Sequence, residues 1–517
     1  MGRTFIRMRL LRLPPLFLLL LITAIGGFAG LRAQQPAAPQ RDPNAEADEK
    51  ILAEIHDHNE IMANLEYLSD MIGQRLTGSS NLKKANDWTR QRFEEYGLAK
   101  AHLESWSIGH GWTRGTANGR IVSPAEHPLS IASYGWGPNT NGKVRGPVVY
   151  VKAQTKEELD AYKGKLKGAI VITGEPQPLP PPDQPAPNPI LVPEGDEILL
   201  IRPPRAGERP GARGPAGRRF GQVRMEFFKT EGVLATLTDS GKPDGLINMT
   251  GVGGRDYHIG AIPSAFITSE NYSLIWRLMK RGPVDLELEI SNTITEHPVE
   301  VYNTVAELPG TTKPNEVVVI GAHLDSWDLG TGSTDNGTGS MVVLEAARAL
   351  QKSGSRPART IRFILFSGEE QGLLGSRAYV AAHKDELPRI SAAIVHDTGT
   401  GRVLTISLMR NYQAQEVMSK VISPLRSLGL VELSQRWMTG SDHATFDEAG
   451  VPGFFFIQEP AQYFQTHHTQ ADTFDQAHEA DLVQGAQVMA AVAYNIAQLP
   501  ELLPRKPVAP AADSPGQ

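Results

Sequence analysis

The sequence predicts an α/β protein: a mostly parallel sheet sandwiched by helices, interrupted by an inserted β-rich unit. Three observations carry this. After about Asn292, short continuous apolar runs alternate with helical stripes, the signature of strands buried on both faces. From about Pro124 to that point, short apolar runs are separated by Gly and Pro instead. At 517 residues the chain also exceeds what one core usually holds, so two folded units or one large unit with an insertion are expected.

The chain opens with Arg3, Arg7, Arg9 and Arg12, an apolar stretch from Leu16 to Phe28, and Ala29-Gly30-Leu31-Arg32-Ala33. A basic start, a short apolar middle and a small final residue form a signal peptide over residues 1–33. The competing reading is an uncleaved anchor, because Leu31 is large for its place. No Cys follows, so a lipoprotein anchor is excluded, and export to a bacterial periplasm or exterior is expected. With cleavage no stable membrane anchor remains. Residues 34–46, rich in Pro, Ala and Gln, read as a disordered lead-in.

Ile51, Ile55, Ile61, Leu65 and Leu68 recur at near-helical spacing, and Asn81 through Tyr96 reads as a second helix with Trp88 and Phe93 inward. His56 and His58, two apart on the first helix, fall on different faces and read as solvated. Val148–Val151, Ala169–Ile172, Gly232–Ala235 and Phe266-Ile267 read as strands of the inserted unit. Between them, residues 174–217 are crowded with Pro and Arg and read as an irregular excursion. Strands then follow at Val317–Ile320, Ile361–Phe366, Ala392–Val395 and Phe454–Ile457. Helices are expected at Met341–Leu350, at Ser376–His383, and along the closing stripe from Leu482 to Ile496.

In such sheets the ligand site lies beyond the carboxyl ends of the strands. His323, Glu369, Glu370 and Asp397 follow apolar runs directly, which places them on one rim. With Asp335 in a Gly-rich loop and His468 near the end, they supply two His and three carboxylates, with one further Glu. That is what a two-metal hydrolase requires: ligands for both ions, one bridging carboxylate and a free base. Asp325, two residues beyond His323 in an extended segment, can accept the second ring N–H of that histidine. Taken alone, His323 with Asp325 could equally be a satisfied buried pair without metal. Adjacent Glu369 and Glu370 can divide the work, one ligating and one moving a proton.

The balance of 40% hydrophobic and 21% charged residues, with a net charge of −6, is ordinary for a globular protein and points away from nucleic acid. The absence of Cys excludes disulfides, thiol nucleophiles and thiolate metal sites, so His and carboxylate must hold any metal. Asn248-Met249-Thr250, Asn271-Tyr272-Ser273 and Asn336-Gly337-Thr338 are formal glycan acceptors.

His467-His468-Thr469-Gln470-Ala471-Asp472-Thr473, Ala322-His323-Leu324-Asp325-Ser326-Trp327-Asp328, Asp335-Asn336-Gly337, Gly368-Glu369-Glu370-Gln371-Gly372 and Ser441-Asp442-His443 together resemble the co-catalytic dizinc aminopeptidase family. Arg75-Leu76-Thr77-Gly78-Ser79 and Asn303-Thr304-Val305-Ala306-Glu307 extend the likeness, which runs from about residue 50 to 500. It implies a zinc exopeptidase fold, phosphorylase/hydrolase-like, and two Zn2+ per chain. Asp335 would bridge the ions, His323 and Asp397 completing one site and Glu370 and His468 the other. Glu369 would be the base, Asp325 the orienter and His467 a structural neighbour, with a cis peptide after Asp335. The implied domains are the catalytic unit at 47–125 and 293–503, an inserted protease-associated-type domain at 126–292, and a disordered tail at 504–517. Short peptides would be the substrates, and a homodimer is a possible assembly. A family tyrosine that would stabilise an oxyanion has no counterpart at Trp437-Met438-Thr439. The competing functions are a dipeptidase needing both free termini, a single-zinc glutaminyl cyclase-type enzyme, and a receptor-like binding protein without catalysis.

Overall fold

The computed structural model describes residues 44–179, 215–252, 258–430 and 432–507. The signal-peptide reading at 1–33, most of the lead-in, and residues 180–214 of the Pro/Arg-rich excursion lie outside them.

The main sheet has eight strands in the spatial order Ala99–Ile108, Val299–Leu308, Arg359–Phe366, Lys313–His323, Ile390–Val395, Gly453–Gln458, Val403–Ser407, Leu433–Ser434. The four central strands, from Arg359–Phe366 to Gly453–Gln458, run parallel; antiparallel pairings flank them on both sides. Alternation along a strand sorts its side chains to two faces. Val318, Ile320 and Ala322 enter the large core under helices Ala45–His58, Ser80–Tyr96, Thr338–Lys352 and Glu479–Ala497. Val317 and Val319 enter the smaller core with Tyr379 and Phe446, under helices Leu374–Ala382 and His443–Glu448. Burial on both faces is why the central strands read as unbroken apolar runs.

A second eight-stranded sheet is built from strands between Trp112 and Ile294, with His127–Leu129 and Ile131–Ser133 at its edges. Its own core holds Ile170, Leu237, Ile267, Leu286 and Leu288. Trp112, Trp136, Ile247 and Met249 from this region belong instead to the large core of the main sheet.

The structure departs from the sequence reading at five places. The first helical stretch breaks at Asn59, whose extended backbone (ψ 152°) separates Ala45–His58 from Ile61–Glu66. The strand read at 232–235 lies at Ala235–Asp239, and the end of the excursion starts a helix, Pro215–Thr230. The helix beginning at Ala45 reaches into the lead-in. Residues 504–506 are not a loose tail: Asn411 donates to Pro504 O, the Arg505 guanidinium donates to the carbonyls of Leu387, Ile390 and Gly450, and Lys506 pairs with Asp447.

Candidate metal centre

Adjacent parallel strands deliver the site in spatial order. Glu369 and Glu370 follow strand Arg359–Phe366, His323 ends the neighbouring strand Lys313–His323, Asp397 follows Ile390–Val395, and His468 comes after Gly453–Gln458 and a short helix, Tyr463–Thr466. Asp335 hangs over this rim, in the loop before helix Thr338–Lys352. All five expected ligands and Glu369 therefore share one end of the sheet.

The histidines come in matching states. His323 Nδ1 lies 2.9 Å from Asp325 O, and His468 Nδ1 lies 3.1 Å from Met249 O. A carbonyl only accepts, so each Nδ1 carries a proton and each Nε2 is turned to the carboxylates; against burial, Asp397 and hydrogen bonding to Asp325 and Asp335 hold His323 well above its ordinary value, and a bound metal would take the place of its Nε2 proton. His323 Nε2 stands 3.2 Å from Asp397 Oδ1 and 3.4 Å from Asp335 Oδ1. His468 Nε2 stands 3.4 Å from Asp335 Oδ2 and 2.9 Å from Glu370 Oε2. Donor atoms on a zinc tetrahedron with bonds of ~2.0–2.1 Å are ~3.3–3.4 Å apart, close to most of these separations.

The donor set fits zinc on chemical grounds too. Asp335 Oδ2 and Glu370 Oε1 are buried without a hydrogen-bond partner, an arrangement that costs free energy unless a cation completes it. Burial, together with Asp397, Glu370 and Asp442 and against the pull of His323, pushes Glu369 well above the carboxylate range. Burial and Asp335 do the same to Glu370. Asp335 goes the other way: burial would raise it, but hydrogen bonding to His323 and the nearby His467 and His468 hold it below its ordinary value.

The loops are held by buried polar groups. Arg75 is fully buried, and its guanidinium donates to the carbonyls of Leu324, Gly73, Thr331 and Gly332, beneath the loop that carries Asp335. Burial lowers this arginine to about 10, against the carboxylates of Asp472, Asp325 and Asp335. Asp472 Oδ1 accepts from Thr334 N and Oγ1, and its Oδ2 accepts from Asp335 N. Asn336 Nδ2 donates to His396 O, tying the Asp335 loop to the Asp397 segment; the Asp335–Asn336 peptide is cis.

Asp325 differs from the expectation in detail. Its carboxylate is 3.6 Å from His323 Nδ1, and its main-chain oxygen takes that hydrogen bond instead. The carboxylate accepts from Thr77 Oγ1 and from the backbone N–H groups of Glu369 and Glu370, so it orients the paired glutamates. His467 stacks on His468 at 3.7 Å between ring centroids, with Nε2 3.9 Å from Asp335 Oδ2. Two of the three glycan triplets are closed: Asn248 and Asn336 are buried, and only Asn271 is partly exposed.

Sequence reasoning gave Arg75, Asp472 and Tyr463 no role. Arg75 and Asp472 lay inside quoted motifs, each the one charged residue in an uncharged stretch, and that was the available signal. Tyr463 sits beside His467 at 4.9 Å between ring centroids. Burial, with Asp335, Asp397, Glu370 and Glu369 close by, drives its phenol well above the ordinary range. Nothing in its local sequence marks it.

Fold and donor set define a metallo-exopeptidase, and the comparisons with known proteins agree. The profile of peptidase family M28 matches residues 303–493. Human carboxypeptidase Q is 30% identical over 446 residues, covering 85% of this chain and 86% of that protein; the Xenopus laevis protein is 29% identical over 443 residues, 84% and 85%. Among solved structures, a peptidase M28 precursor from Shewanella amazonensis superposes with a TM-score of 0.74 at 27% identity, over 90% of this chain and 99% of that one. BSAP, a zinc aminopeptidase from Bacillus subtilis, shares the fold at a TM-score of 0.60 and 20% identity, over 84% and 94%. The chain belongs to peptidase family M28.

Proposed function

We propose that the chain is an exported two-zinc exopeptidase of short peptides in which Glu369 carries the proton. The observation that supports this best is Asp335, whose two carboxylate oxygens face two different histidines, Oδ1 toward His323 and Oδ2 toward His468. His323, Asp397 and Asp335 would hold one ion, and Glu370, His468 and Asp335 the other. Zinc at such a site acidifies water and polarises a carbonyl. Glu369 is partly exposed on the rim and reachable by substrate. A carboxylate oxygen of Glu369 takes the proton of the attacking water and returns it to the departing amine. Asp325 keeps that side chain in place through the Glu369 N–H.

In this reading the second sheet is the inserted domain, which then begins with strand Trp112–Ser123, ahead of the expected start at 126, and residues 1–33 direct export; the N-terminal sequence of protein recovered from periplasm or medium tests the latter. Glu369→Gln tests the chemistry. It should keep its zinc and lose roughly 10²–10⁴-fold in kcat, and near-normal hydrolysis by this variant sinks the assignment. A panel of free dipeptides, N-blocked dipeptides and amino-acid amides then separates an aminopeptidase, which cleaves the amides, from a dipeptidase, which needs both free termini.

A further inference from the structure

We propose that the loop Ser240–Gly251 of the second sheet is the positioning element for His468, with Lys242 as its anchor. This rests on reading His468 as a metal ligand.

His468 lies more than two hundred residues from this loop, in a backbone conformation it would not choose alone. Its φ is +59°, the left-handed region, where a non-glycine residue needs its surroundings to hold it. The loop grips the chain on both sides of that point. Before it, the Lys242 ammonium, 2% exposed, donates to Phe464 O and to His467 O (3.3 Å) and lies 4.4 Å from the centroid of the Phe464 ring. After it, Ile247 N–H donates to Gln470 Oε1 (2.9 Å) and Gln470 Nε2 donates to Gly245 O (3.0 Å). At His468 itself, Met249 O accepts the Nδ1 proton and so fixes the ring with Nε2 turned toward Asp335 and Glu370.

The loop is itself cross-braced. Ser240 Oγ donates to Leu246 O and accepts from Asn248 N. Met249 is fully buried, and its sulfur touches Arg114 Nη2 at 3.1 Å; the same guanidinium forks onto both oxygens of Asp328 (2.9 and 2.8 Å), five residues beyond His323. One chain of contacts therefore links both histidine-bearing segments through the second sheet. An ammonium taken out of water costs free energy unless its donors are satisfied, and Lys242 gives hydrogen bonds to the backbone that carries the ligand. Outer partners of this kind orient a metal-bound imidazole and set its affinity.

The test compares Lys242→Met, Lys242→Arg and Gln470→Leu with His468→Ala, using zinc content, zinc affinity by chelator competition, kcat, KM and unfolding of the metal-free protein. Lys242→Met should weaken one of two zinc sites by roughly 10–100-fold, with the other unchanged, and lower kcat more than KM. Lys242→Arg should restore much of both, and Gln470→Leu, which buries no charge, should weaken the same site by a smaller factor and carries the test if Lys242→Met does not fold. Wild-type affinity at both sites in Lys242→Met and Gln470→Leu overturns the proposal, as does an equal loss at both sites that tracks a drop in metal-free stability. His468→Ala separates the two levels. If it loses one zinc while the loop variants lose none, the positioning role alone falls; if it keeps both, the ligand assignment falls as well.

Discussion

At the scale of single residues, Asp335 is the only one of the ligands asked to serve two histidines at once, and this ranks the ligand substitutions. Asp335→Ala should strip both ions and abolish activity, whereas Asp397→Ala should leave close to one zinc per chain; elemental analysis after dialysis reads the difference directly. A second residue gives a pH signature away from the site. His383 is raised above its ordinary value by its hydrogen bond to Glu104, against the opposing effect of burial, with Glu386 adding to it. The distances are 3.0 Å to Glu104 and 3.4 Å to Glu386, and the ring is 21% exposed. The folded state holds this proton more tightly than the unfolded chain. The stabilisation is therefore complete below the ordinary imidazole pKa and disappears as pH rises through the raised value. His383→Gln should cost up to about 1 kcal/mol more at pH 6, given the partial exposure, than at a pH where the wild-type ring is neutral; urea unfolding at the two pH values checks it.

At the scale of elements, the meeting of helix Thr338–Lys352 with the loops on either side is a tight joint beside the candidate metal site. A β-carbon on Gly339 would lie 2.3 Å from Asn336 Oδ1 and 2.4 Å from His396 O. Those atoms belong to the segments that carry Asp335 and Asp397. Gly339→Ala should therefore cost about 1–3 kcal/mol through overpacking and weaken zinc binding as well, measured by thermal unfolding and chelator competition. The elements were unevenly legible in the sequence. Strands such as Val317–Ile320 and Ile361–Phe366 could be read because burial on both faces makes them almost wholly apolar, with Arg362 the one interruption, and polar candidate ligands follow within a few residues. Strand Ala99–Ile108 could not, since it alternates half-buried with exposed residues and carries Lys100, His102 and Glu104. Among the candidate ligands, His323, Glu370 and Asp397 were legible because each sits within a few residues of its strand end, whereas Asp335 and His468 follow longer loops and were read from their motifs. Lys242 was not, because its partner Phe464 is 222 residues away and only the folded chain joins them.

At the scale of the whole molecule, the two ions would tie together loops from four neighbouring strands and, through Met249 and Arg114, the second sheet. Removing them leaves Glu369, Glu370, Asp335 and Asp397 crowded at one rim with no cation between them. A ligand that binds only the folded state stabilises it by about 4 kcal/mol when present at about a thousand times its Kd. Chelation should accordingly lower the unfolding temperature by several degrees, and zinc should restore it. Asp335→Ala should show neither response.

The burial of Asn336 has a consequence for how the chain can be made. Folded, this side chain is sealed inside the metal loop and out of reach of any modifying enzyme. A eukaryotic secretory pathway, however, meets the Asn336-Gly337-Thr338 triplet while the chain is still unfolded, and a glycan added then cannot be taken into the interior. Production through such a host should yield an insoluble fraction carrying sugar at Asn336 and a soluble, active fraction without it. A bacterial export route should deliver the soluble form alone.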